Sequence, residues 1–209
     1  MKLDHVLISV TDLDGAAGEL EARYGLTSVE GGRHAGWGTA NRIVPLGDTY
    51  VELIAVVEEN DGARSVFGRW IADGLRSGPG RLLGWVARTE RIEEVADRLG
   101  LTVSSGSRQA GDGRVLRWRL AGAEQAATEP ALPFFVAWGE ETPLPGRTAV
   151  AHPAGEVRLT GLRLSGDPER VERWLGADSS LPIIVTPGPP AVTGVVLETS
   201  EGEFVFEGF

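Results

Sequence analysis

The sequence predicts an α+β fold of repeated βαβββ units, in which curved mixed β-sheets cup a cavity and helices cover the outer face. Three observations carry this expectation. An alternating apolar strand, a capped helix and three further strand-like segments fill residues 1–60. The same order returns over residues 81–140, and a shorter version follows a loop within residues 141–209. Self-similarity at a spacing of ~75 residues marks units that bury equivalent faces.

The elements follow in order. In the opening strand, Val6, Ile8 and Val10 share one face and His5, Leu7 and Ser9 the other, because strand side chains alternate. Thr11 is a candidate N-cap. Leu13, Ala17, Leu20 and Tyr24 then recur at helical spacing before Gly25, a favoured stop. A strand near residues 26–30, a glycine-rich loop, a strand near 39–46, a turn at Gly47-Asp48 and a strand over 49–54 complete the unit. Residues 61–80 read as a helical connector with Val66, Phe67, Trp70, Ile71 and Leu75 on one face, ended by Ser77-Gly78-Pro79-Gly80. The second unit shows a strand at 82–88, a helix at 90–99 closed by Gly100, strands at 101–104, 114–120 and 133–138, and a loop at 121–132. In the third, a strand at 157–164 precedes Asp167-Pro168, a strong helix start, and strands at 182–186, 192–198 and 203–207. No long polar linker interrupts these segments, so one compact structural domain is expected.

Composition narrows the function. The net charge of −10 and the lack of a Lys/Arg cluster argue against nucleic acid and anionic membranes as partners. With no cysteine, there is no disulfide framework, thiolate metal site or Cys nucleophile. No signal peptide is evident, and no apolar run approaches the ~20 residues that span a bilayer; a cytoplasmic protein is expected. The loop from Gly31 to Gly38 lacks the lysine and helix of a phosphate cradle, and Gly-x-Ser-x-Gly does not occur.

What remains is a small set of chemistry-bearing residues. The chain has three histidines. His5 and Glu52 sit mid-strand among aliphatic residues, where burying an unpaired polar group costs roughly 2–7 kcal/mol. The first helix must cover Val6, Ile8, Val10, Val51 and Leu53, so His5 and Glu52 point to the opposite side with Tyr50 and Ile54. His34 and His152 lie in Gly/Pro-bounded loops that can carry an imidazole toward that surface. A set of His5, Glu52 and His152 would be two histidines and a carboxylate with open positions, suited to iron(II), manganese or zinc. Alternatively, His5 is hydrogen-bonded in a wet cavity, Glu52 pairs with an arginine such as Arg42, and His152 fixes a turn. Glu52 is also a candidate catalytic base if burial raises its pKa. Arg33, Arg42 and Arg117 can present guanidinium forks to an oxygen-rich ligand. Trp37, Trp85, Trp118 and Trp138 read as core or cavity lining.

Several segments together resemble the glyoxalase-like domain proteins of the vicinal oxygen chelate superfamily. They are Leu3-Asp4-His5-Val6, Gly31-Gly32-Arg33-His34 through Gly38-Thr39-Ala40-Asn41, Tyr50-Val51-Glu52-Leu53, Leu132-Pro133-Phe134-Phe135 and His152-Pro153-Ala154-Gly155. The resemblance implies paired units whose cavity holds a divalent metal in many members, with ligands drawn from both copies. His5 and Glu52 match the first-copy positions. The second copy places Leu83 or Gly84 opposite His5 and Ala137 opposite Glu52; the third places Thr160 or Gly161 at the His position and Glu207 near the Glu position. A divalent-metal-dependent lyase, isomerase or dioxygenase acting on a small oxygen-bearing molecule is implied, and so is a non-catalytic small-molecule binding or sequestration protein. The cofactor is correspondingly a divalent metal (Zn, Fe, Mn or Ni) or none. His34, Trp37, Tyr50 and Trp138 are the expected substrate pocket, a small-molecule ligand the expected partner, and a homodimer a reasonable assembly.

Overall fold

The computed structural model describes residues 1–34, 36–78, 80–109, 113–176 and 180–209; Ala35 of the glycine-rich loop and Pro79 of the helix stop lie outside them. The first unit comprises β1 (Lys2–Ser9), α1 (Leu13–Tyr24), β2 (Val29–His34), β3 (Thr39–Leu46) and β4 (Thr49–Val56). Asp12, not Thr11, caps α1, because its carboxylate accepts from the Asp14 amide. Gly25 ends the helix at φ 64°, a left-handed conformation that glycine adopts without a Cβ penalty. Gly31-Gly32-Arg33-His34, expected as a loop, is most of β2 and pairs with β3.

After α2 (Glu59–Gly62) and α3 (Val66–Arg76), the second unit comprises β5 (Arg81–Arg88), α4 (Ile92–Leu99), β6 (Ser104–Gln109), β7 (Val115–Ala121), α5 (Ala123–Thr128) and β8 (Phe134–Trp138). β6 lies later than the segment 101–104 that apolar content favoured. Its sequence, Ser-Ser-Gly-Ser-Arg-Gln, holds no aliphatic residue, and pairing with its neighbours, chiefly β7, makes it a strand. The expected loop at 121–132 contains α5.

The two units close one barrel in the order β1-β4-β3-β2-β6-β7-β8-β5. In each, the first strand runs parallel to the last. β1 and β5 join the units along most of their length, whereas β2 and β6 share only Arg33↔Gln109 and His34↔Arg108. Alternation sorts the core as the sequence requires. Val6, Ile8, Val10, Val51 and Leu53 face outward onto Ala17 and Leu20 of α1. Leu7, Ile54, Val86, Leu116, Trp118, Leu120, Phe134 and Val136 face inward. Phe67, Trp70 and Ile71 of α3 belong to the inward cluster, with Ala123 and Ala126 of α5. The connector is therefore a plug in the barrel. Ser65 fixes its start by accepting from the Gly68 amide at 2.8 Å.

The third segment comprises β9 (Arg158–Gly166), α6 (Pro168–Leu175), β10 (Ile183–Pro187), β11 (Ala191–Thr199) and β12 (Gly202–Phe206). It keeps the βαβββ element order but not the pairing. Its sheet runs β10-β9-β11-β12, so its first strand lies parallel to its second, not to its last. Leu159, Leu162, Leu164, Val195 and Leu197 pack it onto the outer face of β5 at Trp85 and Ala87. Arg98 of α4 donates to the Arg173 and Trp174 carbonyls at the end of α6, a favoured place for a cation.

Candidate functional site

The register of β1 and β4 sets Leu7 against Glu52 and His5 against Tyr50, which aims all four into the barrel. His5 Nε2 stands 3.3 Å from Glu52 Oε2. The other ring nitrogen, Nδ1, is 2.7 Å from Asp4 Oδ1. Alternation alone would turn Asp4 away from its neighbour. An irregularity in the β1–β5 register between Leu3 and His5 skips Asp4, and a bulge of this kind re-aims a side chain. Asp4 also accepts from Trp138 Nε1 at 3.1 Å and lies 3.5 Å from Arg88 Nη1. Asn41 Nδ2 donates to Glu52 Oε1 at 2.5 Å. The His5 ring stacks on Tyr50 at 4.3 Å and meets the Phe134 edge at 6.1 Å. Asp4, His5, Asn41 and Glu52 are all at most 5% exposed.

Burial by itself would neutralise His5. The bonds and charges of Asp4 and Glu52 outweigh it and hold the imidazole above its ordinary 6.5. Burial also works to raise Glu52, but His5, His34 and Asn41 overcome it and bring the carboxyl down to about 2. The expectation of a pKa raised by burial is thus reversed: Glu52 is a carboxylate, and it and Asp4 favour the protonated form of His5. His34 behaves oppositely: burial, with the Arg108 and His5 charges, lowers it to about 4, so its ring is neutral. Its Nδ1 lies 2.9 Å from Thr39 Oγ1, and its ring stacks on Trp37 at 5.2 Å. Burial keeps Tyr50 a phenol, well above its ordinary 10.

These groups border a cavity of about 40 Å³, room for about three waters. His5, Glu52, His34, Trp37, Tyr50 and Trp138 all line it, together with Asn41, Phe67, Arg108, Trp118 and Phe134. His152 does not. One of its ring nitrogens accepts from the Thr27 amide at 3.1 Å and the other donates to the Pro45 carbonyl at 2.8 Å, which pins its loop to the first unit. Arg42 turns outward to Ser28 and Asp14, so Asn41 is the partner of Glu52. Glu207 is exposed and does not border the cavity. Trp85 faces outward and donates to the Ala131 carbonyl.

The second unit offers no matching donors. Strand ends at Ser9 and Arg88 and helix starts at Leu13 and Ile92 align His5 with Gly84 and Leu7 with Val86. Because Val86 pairs with Phe134, the counterpart of Glu52 is Phe134. Ala137, expected there, faces the outer core. A Cβ at Gly84 would meet the Trp70 ring at 2.5 Å, so the plug occupies the space a second-unit ligand would need. Among the described residues, no group of three or more His, Asp or Glu is placed to hold an ion. One imidazole and one carboxylate do not fit a metal centre built from both units. Asp4, Asn41 and Arg108 escaped the sequence reading. Gly31 is a signal for Asn41 in retrospect, since a Cβ there would overlap its Oδ1.

Two βαβββ units closed around an inward His–Glu pair define a fold of the vicinal oxygen chelate type. The chain belongs to the glyoxalase-like domain family, whose match covers residues 3–178. Among proteins of curated function, none matches the sequence. A hypothetical protein from Staphylococcus aureus shares the fold at TM-score 0.71 and 15% identity, over 96% of this chain and 92% of its own. Methylmalonyl-CoA epimerase from Mycobacterium tuberculosis aligns at TM-score 0.45 and 19% identity, over 65% of this chain and 85% of its own. The Streptomyces coelicolor epimerase in complex with 2-nitronate-propionyl-CoA aligns at 0.46 and 18%, over 68% and 97%. No helix among the described residues is long and apolar enough to cross a membrane.

Proposed function

We propose that the protein binds a small oxygen-bearing molecule in the barrel cavity and moves a proton on it between Glu52 and His5, with no metal held by the chain. The observation that carries this reading is the facing of His5 Nε2 and Glu52 Oε2 at 3.3 Å inside an aromatic-walled hollow. That gap is looser than the 2.7 Å contact on the other side of the ring. A ligand carbonyl there meets a donor, and the hydrogen beside it meets an acceptor. A buried ion pair adds little net stability over an apolar replacement, so its place in a cavity supports a functional reading of the pair. The carbon-bound proton passes to Glu52 while His5 protonates the carbonyl oxygen. Return of the Glu52 proton to the former carbonyl carbon, while the adjacent hydroxyl gives its proton back to His5, completes the isomerisation of an α-hydroxy carbonyl compound and restores both residues.

A second reading, binding without turnover, is favoured by the value of about 2 for Glu52, since an efficient base titrates near the working pH. Deuterium uptake from D2O into hydroxyacetone and pyruvate, followed by NMR, separates the two. Turnover requires exchange by wild-type protein that survives chelator treatment and falls by about a hundredfold or more in Glu52→Gln. Ligand binding without exchange supports the second reading instead.

A further inference from the structure

Arg108 carries a charge that the site just described does not use. It sits on β6, is 6% exposed and borders the cavity. No hydrogen bond or ion pair of its guanidinium is found among the described residues. Its nitrogens are not among the fully buried atoms that lack a partner, so they reach the groove, where a ligand can meet them; an Arg this little exposed usually has a protein partner. The Arg108 side chain also lines the open groove of about 800 Å³ on the far side of the β2–β6 seam, as does His34. The two residues face each other across that seam. Backbone geometry makes room for the arrangement. Gly32 has φ 139°, a Cβ there would overlap the Gln109 carbonyl, and it would come within 3.4 Å of Arg108 Nη1. The acidic residues lining the groove are Glu30, which is exposed, Glu58, which pairs with Arg33, and Asp61, which pairs with Arg64.

The buried charges give the same answer. Asp4 and Glu52 are the negative groups around the cavity; His5, Arg88 and Arg108 are the positive ones. Arg88 Nη1 is itself buried without a hydrogen-bond partner. One positive charge is left over, and it lies at the groove end, away from the chain Asp4–His5–Glu52.

We propose that Arg108 is the anchor for the carboxylate of the ligand, so that the substrate class is a short-chain hydroxy or oxo monocarboxylate entering between His34 and Arg108. The planar fork of an arginine matches a carboxylate with two parallel bonds. Seated there, the acid presents its hydroxyl or carbonyl carbon toward His5 and Glu52, and its length is limited by the aromatic wall. This inference rests on the cavity being the ligand site proposed above.

Calorimetric titration of the whole protein with glycolate, lactate and pyruvate, against the neutral hydroxyacetone and lactamide, tests it. Wild type prefers the acids by about ten- to a hundredfold, the ratio that hydrogen bonds to a charged group supply. Arg108→Met abolishes that preference, and Arg108→Lys keeps part of it. Because Arg108 has no protein partner to lose among the described residues, the Tm of Arg108→Met stays close to that of wild type. Equal affinity of wild type for acids and neutral analogues overturns the assignment. So does an Arg108→Met protein that binds acids unchanged, or one that melts several degrees lower and loses both classes alike. Deuterium exchange on hydroxyacetone without any preference for acids rejects Arg108 and spares the proton-transfer reading. A preference that persists in Glu52→Gln, with no exchange by wild type, does the reverse.

Discussion

The two halves of the barrel share a plan and differ in what they turn inward. Where the first presents His5 and Glu52, the second presents Gly84 and Phe134. The first half adds Asp4, Asn41 and His34; the second adds Leu116, Leu120 and Val136. The first half thus supplies the acid–base pair, and the second supplies a mainly apolar wall in which Arg108 is the charged exception. Low local polarity strengthens every charge interaction across such a cavity. The bare Gly84 is what admits Trp70, so loss of a side chain in one half is coupled to the plug between the halves.

The largest expected effect comes from undoing that coupling. Trp70→Ala empties a buried indole site over Gly84 and lowers unfolding free energy toward the top of about 3–5 kcal/mol in urea titration. A loss under about 1 kcal/mol would show that the second half does not depend on the plug. Next comes Asp4→Asn, which strips His5 and Arg88 of their shared carboxylate and costs about 3 kcal/mol or more. The His5 imidazole then titrates lower by NMR.

Acidification is the third way to set the halves apart, because the buried groups that titrate on the acid side, His34 and Glu52, both lie in the first. His34 folds with its pKa near 4 instead of 6.5. The folded state then binds fewer protons than the unfolded chain between those values, and stability falls as pH drops through them, by on the order of 3 kcal/mol. Glu52, depressed to about 2 from 4.5, adds a loss below pH 4.5. His5 has the opposite sign: its contribution is full below 6.5 and fades as pH rises through its elevated folded value. In urea titrations at successive pH, His34→Gln removes the upper acid limb and leaves the lower; an unchanged profile would disprove this origin. Smallest is His152→Ala, which gives up two hydrogen bonds for about 1–2 kcal/mol and leaves ligand affinity unchanged.

Strand parity is a local property, and for that reason His5, Leu7, Tyr50, Glu52 and Ile54 could be turned inward from sequence alone. The βαβββ order was legible because α1 and α4 carry clear stops at Gly25 and Gly100. Asp4 was hidden because a bulge reverses its parity. Arg108 was hidden because β6 has no apolar pattern. The choice of Ala137 over Phe134 failed on register, which pairing across strands decides and which no single strand reveals. The third segment looked like a copy because element order can be read along a chain, whereas neighbour order in a sheet cannot. His152 looked like a ligand because a histidine beside proline and glycine says nothing of which carbonyl it will meet.

The seam between β2 and β6 has a further consequence for solubility. A complete barrel leaves no strand edge to recruit another chain, yet this one is shut on that side by two residue pairs. Each of those strands is a latent edge whose backbone groups become available whenever the seam parts. The positions that would be uncovered carry Arg33 and Arg108, and cationic side chains on an edge discourage strand addition. On a parted seam those arginines would oppose the addition of a neighbouring strand.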